Sequence, residues 1–267
     1  MRGAFCIYLN YLLMKKMILT ICALGFGLFV NAQKPLKQGE VVYEETMKLN
    51  IKIEGMSAEM MDRIPKERKA KKVLYFNEEA SSYQASKEQA GENIPGEGRG
   101  GGMGMRFMMS SPDDKVYLNY NDKIKIEQRE FMSRVFLIEG EPNQDNWKLT
   151  NKQKMILNYP CQQATQITEK DTILAWFAPS IPVSAGPANY VNLPGLVLEV
   201  NINNGKRMIV AQSIDLKQID NELISKPNKG KKISREEFQK IVEEKTKEMG
   251  VENRGGGMIM IRGGGGH

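Results

Sequence analysis

The chain has 267 residues, of which 41% are hydrophobic and 26% are charged, and its formal net charge is +6. A chain of this length can bury one hydrophobic core, or at most two small ones, without covalent crosslinks. No dense basic patch with interleaved aromatic residues occurs, so we do not expect a nucleic-acid partner.

The first residues predict an export signal. Met14-Lys15-Lys16 is a short basic region, residues 17–30 form an apolar run, and Val30-Asn31-Ala32 fits a cleavage site. The run is shorter than the ~20 apolar residues that span a bilayer. We therefore expect a Sec signal peptide over residues 1–32, cleaved after Ala32, and a periplasmic or secreted protein that does not span the membrane. Because Met14 opens a complete signal, Met1 and Met14 both remain candidate start sites.

Cleavage changes the charge and the cysteine content of the chain. It removes Arg2, Lys15 and Lys16 and no acidic residue, which leaves 35 basic and 32 acidic side chains and a net charge of +3. It also removes the first two of the three cysteines, so Cys161 has no intramolecular disulfide partner. We interpret Cys161 as a buried core thiol, with a soft-metal ligand or an intermolecular disulfide as the alternatives.

Residues 33–227 are predicted to form an antiparallel β domain. Apolar and polar residues alternate over residues 41–53, which predicts a half-buried strand, and Ser57 is placed to cap a short helix that ends near Ile64. Further strands are predicted at 72–77, around Tyr83, and at 115–119, 123–128, 134–139, 147–149, 153–157, 172–177, 196–202 and 206–214. The fold class is therefore mostly β (α+β), a curved antiparallel sheet or half-barrel with a C-terminal helix.

Two segments lack periodicity, and a helix precedes the second. Residues 85–111 are rich in Gly, Glu, Ser and Met and are predicted as a mobile insertion. Residues 228–250 are predicted to contain the C-terminal helix, because Ser234 and Glu237 form a capping box and Gly250 ends the apolar pattern. Residues 251–267 are predicted as a disordered Gly/Met tail.

Residues 172–200, TILAWFAPSIPVSAGPANYVNLPGLVLEV, are the most distinctive stretch of the chain. Three prolines exclude a helix and predict an extended loop along the surface over residues 178–188. Pro194 and Gly195 together predict a type II turn. Asn203-Asn204-Gly205 then predicts a hairpin between the last two strands of the domain.

This stretch resembles the GLPGLI family of exported proteins from Gram-negative bacteria. The motif that names the family is matched by Asn192-Leu193-Pro194-Gly195-Leu196-Val197, with Asn in place of the first Gly and Val in place of the final Ile. The other matching elements are Leu74-Tyr75-Phe76-Asn77, Tyr159-Pro160-Cys161-Gln162-Gln163-Ala164, Ala175-Trp176-Phe177, Ile181-Pro182 and Gly186-Pro187.

The resemblance covers most of residues 40–220 and implies a fold and a compartment. Members of the family are β-rich envelope proteins that are often associated with TonB-dependent outer-membrane receptors. We expect structural roles for the residues of the family motif in this chain, which are Cys161, Trp176, Gly186, Pro187, Leu193, Pro194, Gly195 and Leu196.

Catalysis is not expected from the residues. His267 is the single histidine of the chain, so the commonest general base and every Ser–His or Cys–His pairing in the body of the protein are missing. Paired carboxylates such as Asp113-Asp114 and Glu236-Glu237 are interpreted as solvated surface charges, with acid–base work as the alternative. We therefore expect a non-catalytic accessory or binding protein, with an outer-membrane partner or an apolar ligand on the concave face of the sheet.

A repeated heptad gives an alternative function. The pattern R-G-G-G-M-x-M occurs at residues 99–105 and again at residues 254–260. Thioether sulfur suits Cu(I), and the two methionines of M-x-M share one face of an extended chain. The predicted Cu(I) ligands are Met103, Met105, Met258, Met260 and His267; Cu(I) is the one cofactor considered. There are two other interpretations: low-complexity sequence with methionine as an apolar residue, or heptads that pair as strands or bind a partner surface with methionine as an adaptable contact.

Overall fold

The computed structural model describes residues 36–53, 55–86, 114–142, 146–169 and 171–249, and the backbone of residues 251–253 and 258–261. All of them fall within one compact unit, Leu36–His267. The predicted signal peptide over residues 1–32 lies outside the described residues. So does the predicted insertion over residues 85–111, apart from its first two residues.

Alternating apolar residues and turn residues give fifteen strands in the described part of the chain. In chain order they are β1 (Gly39–Lys48), β2 (Asn50–Ile53), β3 (Glu67–Phe76), β4 (Ala80–Ala85), β5 (Lys115–Asn119), β6 (Ile124–Phe131), β7 (Arg134–Gly140), β8 (Lys148–Ile156), β9 (Tyr159–Ile167), β10 (Thr172–Ala178), β11 (Leu196–Ile202), β12 (Arg207–Asp215), β13 (Lys231–Ile233), β14 (Val251–Asn253) and β15 (Met258–Ile261).

Twelve of these strands form one open sheet in the order β13-β7-β6-β5-β4-β3-β1-β12-β11-β10-β9-β8. Neighbours run antiparallel except for β13, which runs parallel to β7. A separate sheet has the order β14-β15-β2. The predicted fold class, a mostly β protein with an antiparallel sheet and a C-terminal helix, is confirmed.

Two α-helices occur among the described residues. The first, α1 (Ala58–Asp62), begins where the Ser57 hydroxyl accepts a hydrogen bond from the Met60 backbone. The second, α2 (Arg235–Glu248), has the predicted capping box between Ser234 and Glu237. In the described part of the chain, no helix is long and apolar enough to cross a membrane.

Aromatic contacts hold α2 against the sheet. The ring of Phe238 meets Phe131 on β6 edge to face at 6.2 Å between centroids, and Phe136 on β7 at 5.6 Å. Such edge-to-face pairs stabilise beyond the apolar area that they bury. The C-terminal helix is therefore docked on the sheet.

Three predicted segments differ from the structure. The single strand expected over residues 41–53 is divided at Leu49, whose backbone N–H donates to Lys66, and β2 joins β15 in the other sheet. The tail expected to be disordered over residues 251–267 contains β14 and β15. The two short strands expected at 147–149 and 153–157 are one strand, β8, whose register with β9 shifts between Leu149 and Gln153.

The proline-rich loop between β10 and β11, residues 179–195, covers the core instead of running along the surface as expected. Ile181, Val183 and Ala185 are buried, while Pro182 and Ser184 between them are exposed. The loop therefore alternates as a strand does, and its inward side chains complete the main core. The largest core residues that it covers include Tyr43, Phe177, Leu196, Leu198 and Ile209.

The predicted type II turn at Pro194-Gly195 is wrong. The Leu196 N–H donates to Ile181 in the covering loop at 3.0 Å, not to Leu193, and the Gly195 N–H donates to Leu193 at 2.8 Å. Gly195 has φ +156, far from the value near +80 that a type II turn requires. A Cβ at Gly195 would lie 2.4 Å from the carbonyl oxygen of Ala178. Glycine is needed there because the loop approaches β10 closely.

We predict that Gly195→Ala lowers the free energy of unfolding by about 3 kcal/mol, because the new methyl group displaces the covering loop from the sheet. Gly140→Ala is the matched control, since a Cβ there meets nothing within 4 Å, and it is expected to be close to neutral. Urea unfolding of both variants measures the difference. Equal effects of the two substitutions would contradict the close approach.

Candidate functional site

The predicted Cu(I) ligands fall partly outside the described residues. Met103, Met105 and His267 are not described, and Met258 and Met260 lie in β15, whose backbone pairs with Asn50 and Lys52 of β2. No group of three or more His, Cys, Asp or Glu side chains that could hold a metal occurs among the described residues. The Cu(I) site stays a prediction from the sequence.

Cys161 and Trp176 are built into the sheet. The Cys161 thiol is buried and donates to the carbonyl oxygen of Tyr159 at 3.4 Å. Burial raises the pKa of the Cys161 thiol to about 11, so the thiol is protonated at neutral pH and is a poor nucleophile. Trp176 is half-buried, and its ring lies 4.5 Å from the Lys154 ammonium.

The other family-motif residues shape the covering loop. A Cβ at Gly186 would lie 2.0 Å from the carbonyl oxygen of Tyr190, so that position accepts only glycine. Pro187, Leu193, Gly195 and Leu196 are buried, whereas Pro194 is exposed. None of these residues brings a reactive group to a surface.

A partly buried charged network lies beside the core, centred on Glu45 of β1. The Tyr83 hydroxyl donates to Glu45 Oε1 at 2.6 Å, and Arg207 Nη2 donates to both carboxylate oxygens at 3.3 and 3.1 Å. Burial raises the pKa of Glu45, but the Arg207 charge and the Tyr83 hydrogen bond outweigh it, so the pKa is lowered overall. Burial also holds the pKa of Tyr83 well above its ordinary value.

A second network surrounds Glu127 of β6. Arg129 donates to Glu127 Oε2 through Nε at 3.0 Å and Nη2 at 2.8 Å, and Arg235, the first residue of α2, donates to Oε1. Asp114 accepts from Arg129 Nη1 at 2.5 Å. Burial raises the pKa of Glu127, but the charges of Arg129 and Arg235 outweigh it and lower the pKa. The network ties α2 to the sheet.

These networks were missed by the sequence analysis because they look like solvated faces. In β6, Lys125, Glu127 and Arg129 alternate with Ile126, a pattern that is typical of one buried and one solvent-facing side. In the structure Lys125 and Glu127 are only 6% and 4% exposed. Strand register places Glu127 beside Val116 and Tyr83, on the face that carries the core.

The β8–β9 hairpin is the most apolar exposed surface among the described residues. Seven large hydrophobic side chains are exposed in the part of the chain that the structure describes. Four of them belong to this hairpin: Leu149 (54%), Met155 (63%), Leu157 (37%) and Ile167 (78%). β8 is also the last strand of the large sheet, whereas the opposite edge is the three-residue β13. Two of the four exposed side chains, Leu149 and Met155, therefore belong to a long edge strand.

The hairpin turn determines which backbone groups of β8 are unpaired. Leu157 and Asn158 form a two-residue turn with φ +47 and +65, so Ile156 and Tyr159 are the hydrogen-bonded closing pair. The next pair, Met155 and Pro160, is then a non-hydrogen-bonded pair. Proline is tolerated there because it has no backbone N–H to donate to β8. The N–H and C=O groups of Met155, and by the same alternation those of Gln153, point away from β9 towards the open edge.

The hairpin is also positively charged. Residues 148–167 contain three lysines and no acidic residue. Lys154 is bound to Glu199 at 2.6 Å, while the exposed Lys148 and Lys152 have no side-chain partner in the part of the chain that the structure describes. Edge lysines and a register shift both oppose unwanted strand pairing.

A cavity of about 540 Å³ lies between β2 and the segment around α1. Its walls include Leu49, Ile51, Met61 and Ile64, which also form a small satellite core. The residues of the two charged networks and of the β8–β9 hairpin do not line it.

The described residues thus define a β-rich protein with a sealed core, internal ion pairs and one exposed apolar edge. A family model described as a protein of unknown function (Porph_ging) matches residues 165–199, which run from the end of β9 through the covering loop into β11. This match is compatible with the expected family resemblance, although the matching model is not the GLPGLI family by name. No curated protein matches the chain.

Solved structures show the fold in another protein. PNGF-II in space group P21 is 14% identical, with a TM-score of 0.51 over 77% of this chain. PNGF-II in space group C2 is 16% identical, with a TM-score of 0.50 over 77% of this chain. The chain spans about a third of the length of PNGF-II, 33% and 32% in the two structures, and at this identity the likeness concerns the fold alone.

We predict that Glu127→Gln lowers the free energy of unfolding at pH 7 by about 3 kcal/mol, because Arg129 and Arg235 lose their buried counter-charge. The folded-state pKa of Glu127 is lowered from 4.5. The stability that it contributes is therefore present above that pH and is lost as the pH falls through the folded-state pKa.

In urea unfolding, the free energies of unfolding of the unmodified protein and of Glu127→Gln should accordingly differ strongly at pH 7. The difference should be smaller at about pH 3. Glu130→Gln, at an exposed position on the same strand, is the control and should change little at either pH. A Glu127→Gln variant as stable as the unmodified protein at pH 7 would contradict the pairing.

Proposed function

We propose that this chain is an exported, non-catalytic binding protein of the Gram-negative cell envelope, a member of the GLPGLI family, and that it acts with an outer-membrane protein of the TonB-dependent receptor type. The observation that carries the proposal is the exposed apolar β8–β9 hairpin, whose strand β8 is the edge of the sheet in the described part of the chain. The export signal and the family resemblance supply the compartment and the class of partner.

The edge supports a partner-binding role because exposed apolar clusters in soluble proteins mark interaction sites. Leu149, Met155 and Ile167 are each more than half exposed, while the opposite edge of the sheet is short and is followed directly by α2. We infer that the partner protein covers the β8–β9 hairpin.

The apolar-ligand version of the proposal has less support. The core-bearing face of the sheet is filled by side chains of the covering loop, including Ile181, Val183 and Leu193. Beyond the loop the same face carries the ion pairs of Glu45 and Glu127. An apolar ligand would have to displace packed side chains or desolvated ion pairs, which is costly.

The ionisable groups also fit a binding role better than acid–base catalysis. Glu45 and Glu127 have lowered pKa values and are held by arginines, so they remain ionised at neutral pH and do not supply protons. The buried Cys161 thiol has a raised pKa. Each of these groups is hydrogen-bonded to a neighbour inside the fold, and none of them lines the cavity beside β2.

The test is site-specific photocrosslinking in cells that export the protein. A photoreactive residue at Met155 or Ile167 should give an adduct with one outer-membrane protein, because these are the two most exposed large apolar side chains of the hairpin. The adduct is identified by mass spectrometry of the membrane fraction.

Met132 is the control position, since it is an exposed apolar side chain (43%) in the β6–β7 turn, far from β8 in the order of strands. We expect no adduct from Met132. Adducts of equal yield at all three positions, or a protein that remains in the cytoplasm, would contradict the proposal.

A further inference from the structure

We propose that β8 is a strand-addition site for an extended segment of the partner, with apolar residues on one face of that segment and acidic residues on the other. The inference rests on the proposed function and specifies the contact: the partner segment continues the twelve-stranded sheet beyond β8.

The backbone of β8 provides the first argument. β8 is nine residues long, and the outward N–H and C=O groups of Gln153 and Met155 have no strand beside them in the described part of the chain. An extended segment that lies along β8 satisfies these groups by main-chain hydrogen bonds, which is the general mode of β-augmentation.

The side chains of β8 provide the second argument, because the two faces of the strand differ in chemistry. Leu149 and Met155 share one face, opposite Ala164 and Pro160 of β9. Lys148 and Lys154, opposite Thr165 and Cys161, share the other face, and Lys152 is exposed on the same strand, within the segment where the register shifts. A matching segment therefore alternates apolar residues, which pack on Leu149 and Met155, with acidic residues that face the lysines.

Charge also decides between a second copy of this chain and another protein. Two copies paired through β8 would place lysines against lysines across the new strand pair, which is destabilising. Lys154 is already engaged by Glu199, so Lys148 and Lys152 are the cations that the acidic residues of the partner meet. The occupant is accordingly an acidic segment of a different protein.

The experiment measures fluorescence anisotropy of labelled ten-residue peptides with the protein purified from cell envelopes. A peptide that alternates Val and Glu is expected to bind, and one that alternates Val and Lys is not. The double variant K148E/K152E should bind the Val/Glu peptide about tenfold more weakly. The variant K240E/K247E, which changes two exposed lysines of α2 by the same charge, should bind it normally.

The backbone contribution is tested with Gln153→Pro and Gln153→Ala. Proline removes the N–H that points to the open edge and leaves the bonds between β8 and β9 intact, so binding should be lost. Alanine keeps that N–H, so binding should persist. Thermal unfolding checks that both variants are folded, and Met155→Glu supplies a second test, through loss of the apolar contact, if the proline variant is not.

The inference is overturned by equal binding of the Val/Lys peptide, by full binding of the Val/Glu peptide to Gln153→Pro, or by a dimer in light scattering that Gln153→Pro dissociates. If the Val/Glu peptide fails to bind while Met155 still crosslinks to an outer-membrane protein, strand addition is wrong and the proposed function stands. If the peptide binds but no outer-membrane protein crosslinks, strand addition stands and the proposed function is wrong.

Discussion

The structure depends on the close approach of the covering loop to the sheet. Only glycine fits at Gly186 and Gly195, where backbone atoms of Tyr190 and Ala178 come within 2.0 and 2.4 Å of an added Cβ. Hydrogen bonds fasten both sides of this approach: the Val197 N–H donates to Ala185 at 2.9 Å, and the Tyr43 hydroxyl donates to Val197 at 2.5 Å. This loop buries the apolar half of the core-bearing face, whereas Tyr75, Ala80 and Tyr117 on the other face pack with Ile219 and Ile224.

The remaining part of the core-bearing face carries ion pairs instead of apolar side chains. Buried charges persist only when they are paired and hydrogen-bonded, and Glu45 and Glu127 each meet an arginine. Arg235 joins the Glu127 network from the first residue of α2, so the C-terminal helix is held by an ion pair as well as by Phe238. With loop, ion pairs and helix in place, four of the seven large hydrophobic side chains that stay exposed among the described residues belong to the β8–β9 hairpin.

The sequence predicted what depends on local periodicity and capping. Most of the strands, the capping box at Ser234 and the mostly β class follow from alternation and short-range hydrogen bonds, and the structure confirms them. The change of partner at Leu49 could not be predicted, because alternation continues through it although β2 belongs to another sheet. The hydrogen bond from the Leu196 N–H to the Ile181 carbonyl could not be predicted either, because it joins residues far apart in sequence.

The position of β8 at the edge of the sheet could not be predicted from the sequence either. β6 reads IKIEQREF and β8 reads KLTNKQKMI, two polar strands that local patterns do not tell apart. The first is central, and its charges are buried in pairs, whereas the second is at the edge, with its apolar residues exposed. Strand order results from long-range pairing, so the site emerges only when the whole sheet is assembled.

Backbone amide exchange at β8 tests the central claim most directly. In the free protein, the amides of Gln153 and Met155 should exchange fast, because they face the open edge, while those of Lys154 and Ile156 should exchange slowly, because they bond to β9. The partner, or the Val/Glu peptide, should then slow Gln153 and Met155 selectively. Slow exchange at Gln153 and Met155 before any partner is added, or no change on binding, would contradict the account.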